Sequence, residues 1–225
     1  MIHLTRSAAL VPYILVMAST MTFAQQPAAS SQSVPTRQRA YASASTGASF
    51  GPQTAAVFAG EYGERVSRNV QAHVTISYHE NLMQSNVSDD LSALSGGLTT
   101  VTGIPWSLQG RDRGVAFVAG AKYLFGSSAV RPYVTGGGGV INIKRTVTDA
   151  RVGDVTSAVL TEFGIGELAL TTQSQTRPLI EGGVGVAISA GRATYFDLGY
   201  RHHRAFHLSE ALDFGQFFAA VGVRF

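Results

Sequence analysis

The sequence predicts an all-β protein, an eight-stranded antiparallel up-and-down transmembrane β-barrel. Three observations predict this fold class. Apolar residues alternate with polar or small ones along many segments, several segments reach about ten to thirteen residues, and the connections between them differ in length in a regular way. A tilted strand of about 9–11 residues crosses a bilayer, whereas strands are usually about 5–6 residues long.

The composition favours an exported membrane protein. Hydrophobic residues make up 45 % and charged residues 14 % of the 225 residues, against about a quarter charged in soluble domains. The formal net charge is only +3, with basic residues scattered along the chain, so we expect no nucleic-acid partner. The absence of cysteine excludes disulfides and thiolate metal sites.

The N-terminus predicts export. Arg6 precedes a short apolar stretch that ends in small residues before Gln25, which is typical of a cleaved signal peptide over 1–24. A membrane-anchoring helix is the alternative, but the apolar stretch is short and contains Pro12. Residues 25–38, rich in Gln, Ser, Ala and Pro, are predicted to be a flexible leader, and 39–225 the barrel.

The first four strands are predicted at about 39–49, 53–63, 68–80 and 113–126. The first, "RAYASASTGASF", is the weakest because Ala and Ser dominate it, and "TAAVFAGEYG" is the second. The third, "RNVQAHVTISYHE", is the clearest, since one face is apolar and the other polar. In the fourth, "GVAFVAGAKYLF", one face carries Val115, Phe117 and Tyr123 and the other Lys122.

The last four strands are predicted at about 130–145, 177–190, 192–205 and 214–225. "VRPYVTGGGGVINIK" is predicted to set Tyr133, Ile141 and Ile143 on the apolar face, although its four glycines weaken the alternation. "LIEGGVGVAIS" and "RATYFDLGYRH" alternate in the same way. The final stretch, "DFGQFFAAVGVRF", forms a lipid-facing stripe of five residues: Phe217, Ala219, Val221, Val223 and Phe225.

The connections predict how the barrel is oriented. Those after strands two, four and six are tight, whereas those after strands three and five are long, at about 81–112 and 146–176. Short turns at one end and long loops at the other are expected of outer-membrane barrels. No amphipathic helix of normal length is predicted, although the second loop is expected either to contain a short helix or to extend its flanking strands.

A soluble β-sandwich or lipocalin-like barrel is the main alternative fold. Two observations favour the membrane barrel instead. The face opposite the apolar one carries mostly small residues, which suits a filled interior better than a solvated surface. Aromatic residues are also expected at both membrane interfaces: Tyr62, Tyr123, Phe125, Tyr133 and Phe225 near the short turns, and Tyr78 and Tyr200 toward the long loops.

The stretches "GAKYLFGSSAVRPYVTGGGGV", "DLGYRHHRAF" and the terminal "VGVRF" resemble the small outer-membrane barrel proteins related to the OmpA transmembrane domain. The resemblance covers about residues 39–225. It implies residence in the outer membrane of a Gram-negative cell, contact with its lipid, and recognition of a C-terminal signal (Phe217, Val221, Val223 and Phe225) by the barrel-assembly machinery. No peptidoglycan-binding domain follows the barrel, so the resemblance does not imply cell-wall anchoring.

Six charged residues are predicted to point into the barrel: Glu61, Lys122, Glu181, Asp197, Arg201 and Arg224. An eight-stranded barrel is just wide enough for side chains to fill. Charges in such a space should be paired, because an isolated buried charge has a large desolvation cost. The first hypothesis is a structural salt-bridge network that fills the lumen, and the alternative is a narrow, gated, porin-like ion path.

Other chemistry is weakly indicated. His202 and His203 are adjacent and should point to opposite faces of a strand, so they cannot share one metal ion without distortion; we expect no metal and no cofactor. His207 and Ser209 resemble the H-x-S pair of lipid A deacylases, but a nucleophilic serine needs an oriented base. We therefore expect a non-enzymatic protein with a structural, adhesive or recognition role, whose two long loops contact an external ligand or host surface.

Overall fold

The computed structural model describes residues 40–51, 53–156, 174–206 and 211–225. The predicted signal peptide and leader, 1–24 and 25–38, lie outside the described residues. The described part contains one helix, α1 (Ser85–Thr102), and the following strands: β1 (Ala40–Phe50), β2 (Ala55–Arg65), β3 (Val70–His79), β4 (Leu108–Leu124), β5 (Val130–Asp149), β6 (Gly153–Asp154), β7 (Ser174–Ala190), β8 (Thr194–Ala205) and β9 (Leu212–Arg224).

The strands form a closed antiparallel barrel. Each barrel strand pairs with its neighbour along the chain, except that β5 pairs with β7, because the two-residue β6 contacts only the end of β5. The first strand closes the barrel against the last, with Ala44 opposite Val221. The predicted fold class, an eight-stranded antiparallel barrel, is thus confirmed, and so is the weakest predicted strand, β1.

The outward face of the barrel is apolar. Large hydrophobic side chains such as Phe58, Ile76 and Phe217 are more than half exposed, as a surface in contact with lipid requires. The prediction for β5 was wrong: Tyr133, Ile141 and Ile143 are buried in the lumen, and the valines at 134 and 140 face outward instead. Both faces of β5 carry apolar residues, so alternation alone could not distinguish them.

Several strands continue well beyond the length that a bilayer needs. β5 has 20 residues, and β4 and β7 have 17 each. Their additional residues all lie at the long-loop end, where outward positions become polar; for example, the Asn142 side chain donates to the Thr176 hydroxyl over 2.9 Å. The expectation that strands extend into the 146–176 loop agrees with these bounds, and residues 157–173 of that loop lie outside the described part.

The helix α1 corrects the prediction that no helix of normal length occurs. Its 18 residues include many Ser, Thr and Gly, which conceal a narrow apolar stripe at Val87, Leu91, Leu94 and Leu98. This spacing of four, three and four places them on one helix face. Among the described residues, no helix is both long enough and apolar enough to cross a membrane.

Lumenal glycines make room for aromatic rings. The Tyr41 ring lies against Gly63 on the neighbouring strand, and the Tyr133 ring lies against Gly185. A Cβ atom at either glycine would collide with the ring. These contacts let two tyrosine hydroxyl groups reach the centre of a narrow lumen.

Candidate functional site

A buried ion network occupies the middle of the lumen. The Lys122 ammonium on β4 donates to Glu61 Oε1 over 2.9 Å and to Asp197 Oδ2 over 3.2 Å. The Arg201 guanidinium on β8 donates to the other Glu61 oxygen. All four residues are less than a tenth exposed. We call these four residues the lumenal network; they connect β2, β4 and β8 across the barrel.

Neutral donors complete the coordination of the two network carboxylates. The Tyr41 hydroxyl donates to Glu61 Oε1 over 2.8 Å, and the Tyr133 hydroxyl donates to Asp197 Oδ1 over 2.7 Å. The Lys122 ammonium also lies 4.5 Å from the centre of the Tyr133 ring. Such donors stabilise the ionised carboxylates and fix the position of each charge. Neither tyrosine was predicted for this role: Tyr133 was placed on the lipid side, and Tyr41 lies in the strand whose alternation is weakest.

Glu181 lies next to the lumenal network but is held more loosely. Its Oε1 atom is 3.8 Å from Arg201 Nε, and its Oε2 atom is 3.7 Å from His203 Nδ1. Both distances exceed a good hydrogen bond. The Arg201 guanidinium therefore lies between two carboxylates, Glu61 and Glu181, and its short hydrogen bond is the one that it donates to Glu61.

The structure places Arg224 away from the other five predicted charges. Its side chain is at the short-turn end, where NH1 donates to the Ser189 hydroxyl over 3.0 Å. The guanidinium carbon lies 4.7 Å from the centre of the Tyr195 ring. The six residues predicted from parity therefore divide into a central group of five and one separate arginine.

A layer of imidazole and apolar side chains lies between the lumenal network and the long-loop end. His79 and His203 meet edge to face with ring centres 5.9 Å apart, and Phe214 stacks on His203 at 4.7 Å. His202 points outward and is exposed, so the two adjacent histidines do lie on opposite faces. No group of three possible metal ligands occurs in the described ranges. Around and above the histidines lie further apolar side chains: Leu82, Ala116, Ile141, Ile143, Leu179, Ala205 and Leu212.

A second buried ion pair lies above the apolar layer. Arg145 donates to Asp112 through Nε over 2.7 Å and through NH2 over 2.6 Å, which is the bidentate geometry that guanidinium and carboxylate favour. The pair lines a small cavity of about 30 Å³ together with Arg177. That volume is enough for about one water molecule. Asp112 and Arg145 are directly opposite in the β4–β5 register, but the sequence did not reveal the pair, because the face wrongly predicted as outward on β5 includes Arg145.

The long-loop end has a hydrophobic core of its own. Val87 and Leu91 of α1 pack with Met83, Leu108 and Val147, and Trp106 covers the edge of this cluster. The helix is thereby fixed on the extended parts of β4 and β5. This end is a compact, folded platform in its described part.

Main-chain donors hold two carboxylates at the long-loop end. The Asp149 side chain accepts from the N–H groups of Ser107 over 2.9 Å and Arg151 over 2.8 Å, and these bonds lower the pKa of Asp149 below its usual value. The hydroxyl and N–H of Thr156 similarly lower the pKa of Asp154. Both aspartates remain ionised at neutral pH and fix the end of the β5 hairpin.

The C-terminal stripe faces outward, as its period indicates. Phe217, Val221, Val223 and Phe225 are each about half exposed. Phe217 packs against the rings of Tyr200 and Phe50 at centre distances of 4.9 and 5.6 Å. Of the proposed H-x-S pair, both members, His207 and Ser209, lie outside the described residues, so the hydrolase hypothesis stays an untested prediction.

Comparison with solved structures supports the outer-membrane class of barrels. The crystal structure of Neisserial surface protein A aligns with 83 % of this chain and 96 % of its own, at 16 % identity and a TM-score of 0.52. The N-terminal barrel of Pseudomonas aeruginosa OprF covers 82 % of this chain and 97 % of its own, at 12 % identity and a TM-score of 0.46. The fold is that of outer-membrane β-barrel proteins.

A third similar structure is the attachment invasion locus protein Ail of Yersinia pestis, which covers 83 % of this chain and 97 % of its own, at 11 % identity and a TM-score of 0.45. No family model matches the sequence, and no curated relative matches it. At these identities the likeness concerns the fold alone. The more specific resemblance to the OmpA transmembrane domain stays a prediction.

Proposed function

We propose that the protein is an exported outer-membrane barrel with a closed lumen, and that it acts through its long-loop end as a recognition or adhesion surface. The observation that carries this proposal is the folded platform at that end. β4, β5 and β7 extend well past the lipid-facing band and hold α1 on a separate apolar core. Elements that only anchor a barrel do not need this additional core.

The filling of the lumen supports the same conclusion. From the lumenal network upward, successive layers consist of paired ions, aromatic and imidazole rings, and apolar side chains. A solute would have to displace all of these layers. Recognition by residues on a rigid scaffold needs no such displacement.

The platform also presents the chemistry of a recognition surface. Arg111, Arg113 and Lys144 lie on the outward face of the β4–β5 hairpin, with Arg113 directly opposite Lys144. Arg111 has the Glu80 carboxylate 3.8 Å away, whereas a sulfated or otherwise anionic partner would relieve the repulsion between Arg113 and Lys144. The partner class best suited to this face is therefore an anionic host or cell-surface polymer.

Cells that display the protein provide the test. We expect adhesion to heparin-coated wells to exceed that of cells without the protein, and to fall strongly in a variant with Arg113→Gln and Lys144→Gln. Arg192→Gln, in a short turn at the opposite end, is the matched control and should adhere like the wild type. Equal adhesion of cells with and without the protein, on heparin, laminin and fibronectin alike, would contradict the proposal.

A narrow channel is the second candidate function, and one observation favours it. Arg201 lies between Glu61 and Glu181, so a shift of its guanidinium from one carboxylate to the other would rearrange the network without leaving a charge unpaired. Electrical recording across a planar bilayer separates this function from the closed-lumen proposal.

The proposal also covers how the protein is exported and assembled in the membrane. Residues 1–24 direct export and are removed, and Phe217, Val221, Val223 and Phe225 serve as the signal that the barrel-assembly machinery recognises. Their outward orientation on the closing strand β9 supports this role, because an assembly factor can contact that stripe before β9 pairs with β1. Replacing Phe225 with Ala should reduce the amount of folded, heat-modifiable protein in the outer membrane.

A further inference from the structure

Four arginines surround the opening of the lumen at the short-turn end. Arg65, Arg131 and Arg224 come from the ends of β2, β5 and β9, and Arg68 comes from the turn after β2. They line one depression of about 280 Å³. We call this group the arginine mouth.

In the part of the chain that the structure describes, no acidic side chain lines the arginine mouth. Its side-chain hydrogen bonds go to neutral groups: Arg131 NH2 donates to the carbonyls of Arg68 and Leu124 over 3.5 and 3.4 Å, and Arg224 donates to the Ser189 hydroxyl. The Arg131 Nε atom is buried and has no partner among the described residues. In the lumen, by contrast, Arg145 and Arg201 each form an ion pair with a carboxylate.

The acidic residues nearest in sequence or register are already engaged. Glu64 is adjacent to Arg65 but lies on the outward face, where it accepts a hydrogen bond from the Tyr62 hydroxyl over 2.8 Å. Asp197, deeper in the lumen, is held by Lys122 and Tyr133. Neither carboxylate lines the depression, so the charge of the mouth is left for a ligand from outside.

From this arrangement we infer that the arginine mouth binds a phosphate group. Guanidinium groups bind phosphate through paired N–H donors, and several of them converging on one concave site make an anion far more favourable there than in water. The depression is large enough for a phosphate together with part of the group that it esterifies. The source is either a free phosphate or the headgroup of an anionic phospholipid in the adjacent leaflet. This site is separate from the long-loop platform and does not depend on its proposed role.

Two titrations with the purified full-length protein separate these sources. In the first, inorganic phosphate is titrated into protein folded in a non-ionic detergent, and heat is measured. In the second, native mass spectrometry measures retention of phosphatidylglycerol against phosphatidylcholine. Binding in the first indicates a free-phosphate site, and selective retention of phosphatidylglycerol alone indicates a lipid headgroup site. Absence of both would overturn the inference.

The variants test whether the mouth is responsible. Arg131→Gln combined with Arg224→Gln should weaken binding at least about tenfold, because two of the four guanidinium donors to the phosphate are lost. Arg192→Gln removes a charge from a neighbouring turn outside the depression and should leave affinity within about twofold. Equal weakening by Arg192→Gln would show a general charge effect and contradict a defined site.

Folding of each variant is checked by heat-modifiable migration on a gel. If the double variant fails to fold, Arg65→Gln replaces it, because the Arg65 side chain lines the depression and has no side-chain partner in the part of the chain that the structure describes. Arg65→Gln should weaken binding and Arg65→Lys should recover part of it. Unchanged affinity in both would overturn the inference as well.

Discussion

The lumenal network and the arginine mouth both contain arginines at inward strand positions, yet they satisfy their charges differently. In the network, two cations share carboxylates and tyrosine hydroxyls within the protein. In the mouth, four guanidiniums face one another with only neutral partners among the described residues. We therefore expect the loss of a network charge to destabilise the barrel, whereas the proposed role of the mouth is to bind an anion from outside.

The difference follows from depth. A charge in the middle of a filled lumen is removed from water and must find its counter-charge in the protein, or the desolvation cost is not offset. A charge at the opening keeps part of its hydration and tolerates like neighbours at a smaller cost. Substitutions at the two places should accordingly have effects of different size.

The largest effect is expected at Glu61. Glu61→Gln leaves both Lys122 and Arg201 without their shared carboxylate, and breaking a buried ion pair by removing one partner costs about 3–5 kcal/mol. Urea titration of the protein in lipid vesicles gives the free energy of unfolding, and its decrease in Glu61→Gln measures this cost. Glu64→Gln, three residues along the same strand but exposed, is the control and should change stability by less than about 0.5 kcal/mol. Similar values for both variants would remove the distinction between depths.

A smaller effect is expected at the bidentate pair above the apolar layer. Arg145→Ala leaves the Asp112 carboxylate buried and should cost about 2–4 kcal/mol in the same unfolding measurement. Asp112→Leu combined with Arg145→Met removes both charges and should recover most of that loss. If the double variant is as unstable as the single one, packing rather than charge explains the contribution of this pair.

Most of the barrel could be predicted from sequence, because a period of two and repeated turns are local signals. The inward orientation of the network charges follows from the same period of two, whereas the residues with which they pair cannot be read from it. Tyr133 lies on a strand that is apolar on both faces, so its contact with Asp197 depends on the closed barrel. The helix α1 was missed because its apolar stripe becomes recognisable only with the platform against which it packs.

At the arginine mouth the expected change in stability is small. Arg65→Gln removes one of four like charges, so the free energy of unfolding should stay within about 0.5 kcal/mol or rise slightly at low salt. Repeating the urea titration at high salt should abolish any gain in the free energy of unfolding, because salt already screens the repulsion between the arginines. A loss as large as that expected at Glu61 would mean that the mouth is part of the internal network.

The Asp149 carboxylate accepts its hydrogen bonds from main-chain N–H groups. Since its N–H partners lower the pKa of Asp149 in the folded state, this stabilisation is present above the ordinary aspartate pKa of about 4 and is lost as the pH falls through the lower, folded value. Hydrogen-exchange protection of the Ser107 and Arg151 amides should therefore decrease at acid pH. Asp149→Asn should reduce protection already at neutral pH, whereas Asp89→Asn on α1 should not.

Planar-bilayer recording tests the central claim most directly, that the paired network closes the lumen and leaves function to the long-loop end. Wild-type protein, shown to be folded by its heat-modifiable migration, should give no discrete unitary conductance. Glu61→Gln, if it remains folded, should show conductance events, because its freed cations no longer hold the lumen together. A stable unitary conductance in the wild type, altered by Lys122→Ala or Arg201→Ala, would contradict the closed lumen and establish the channel instead.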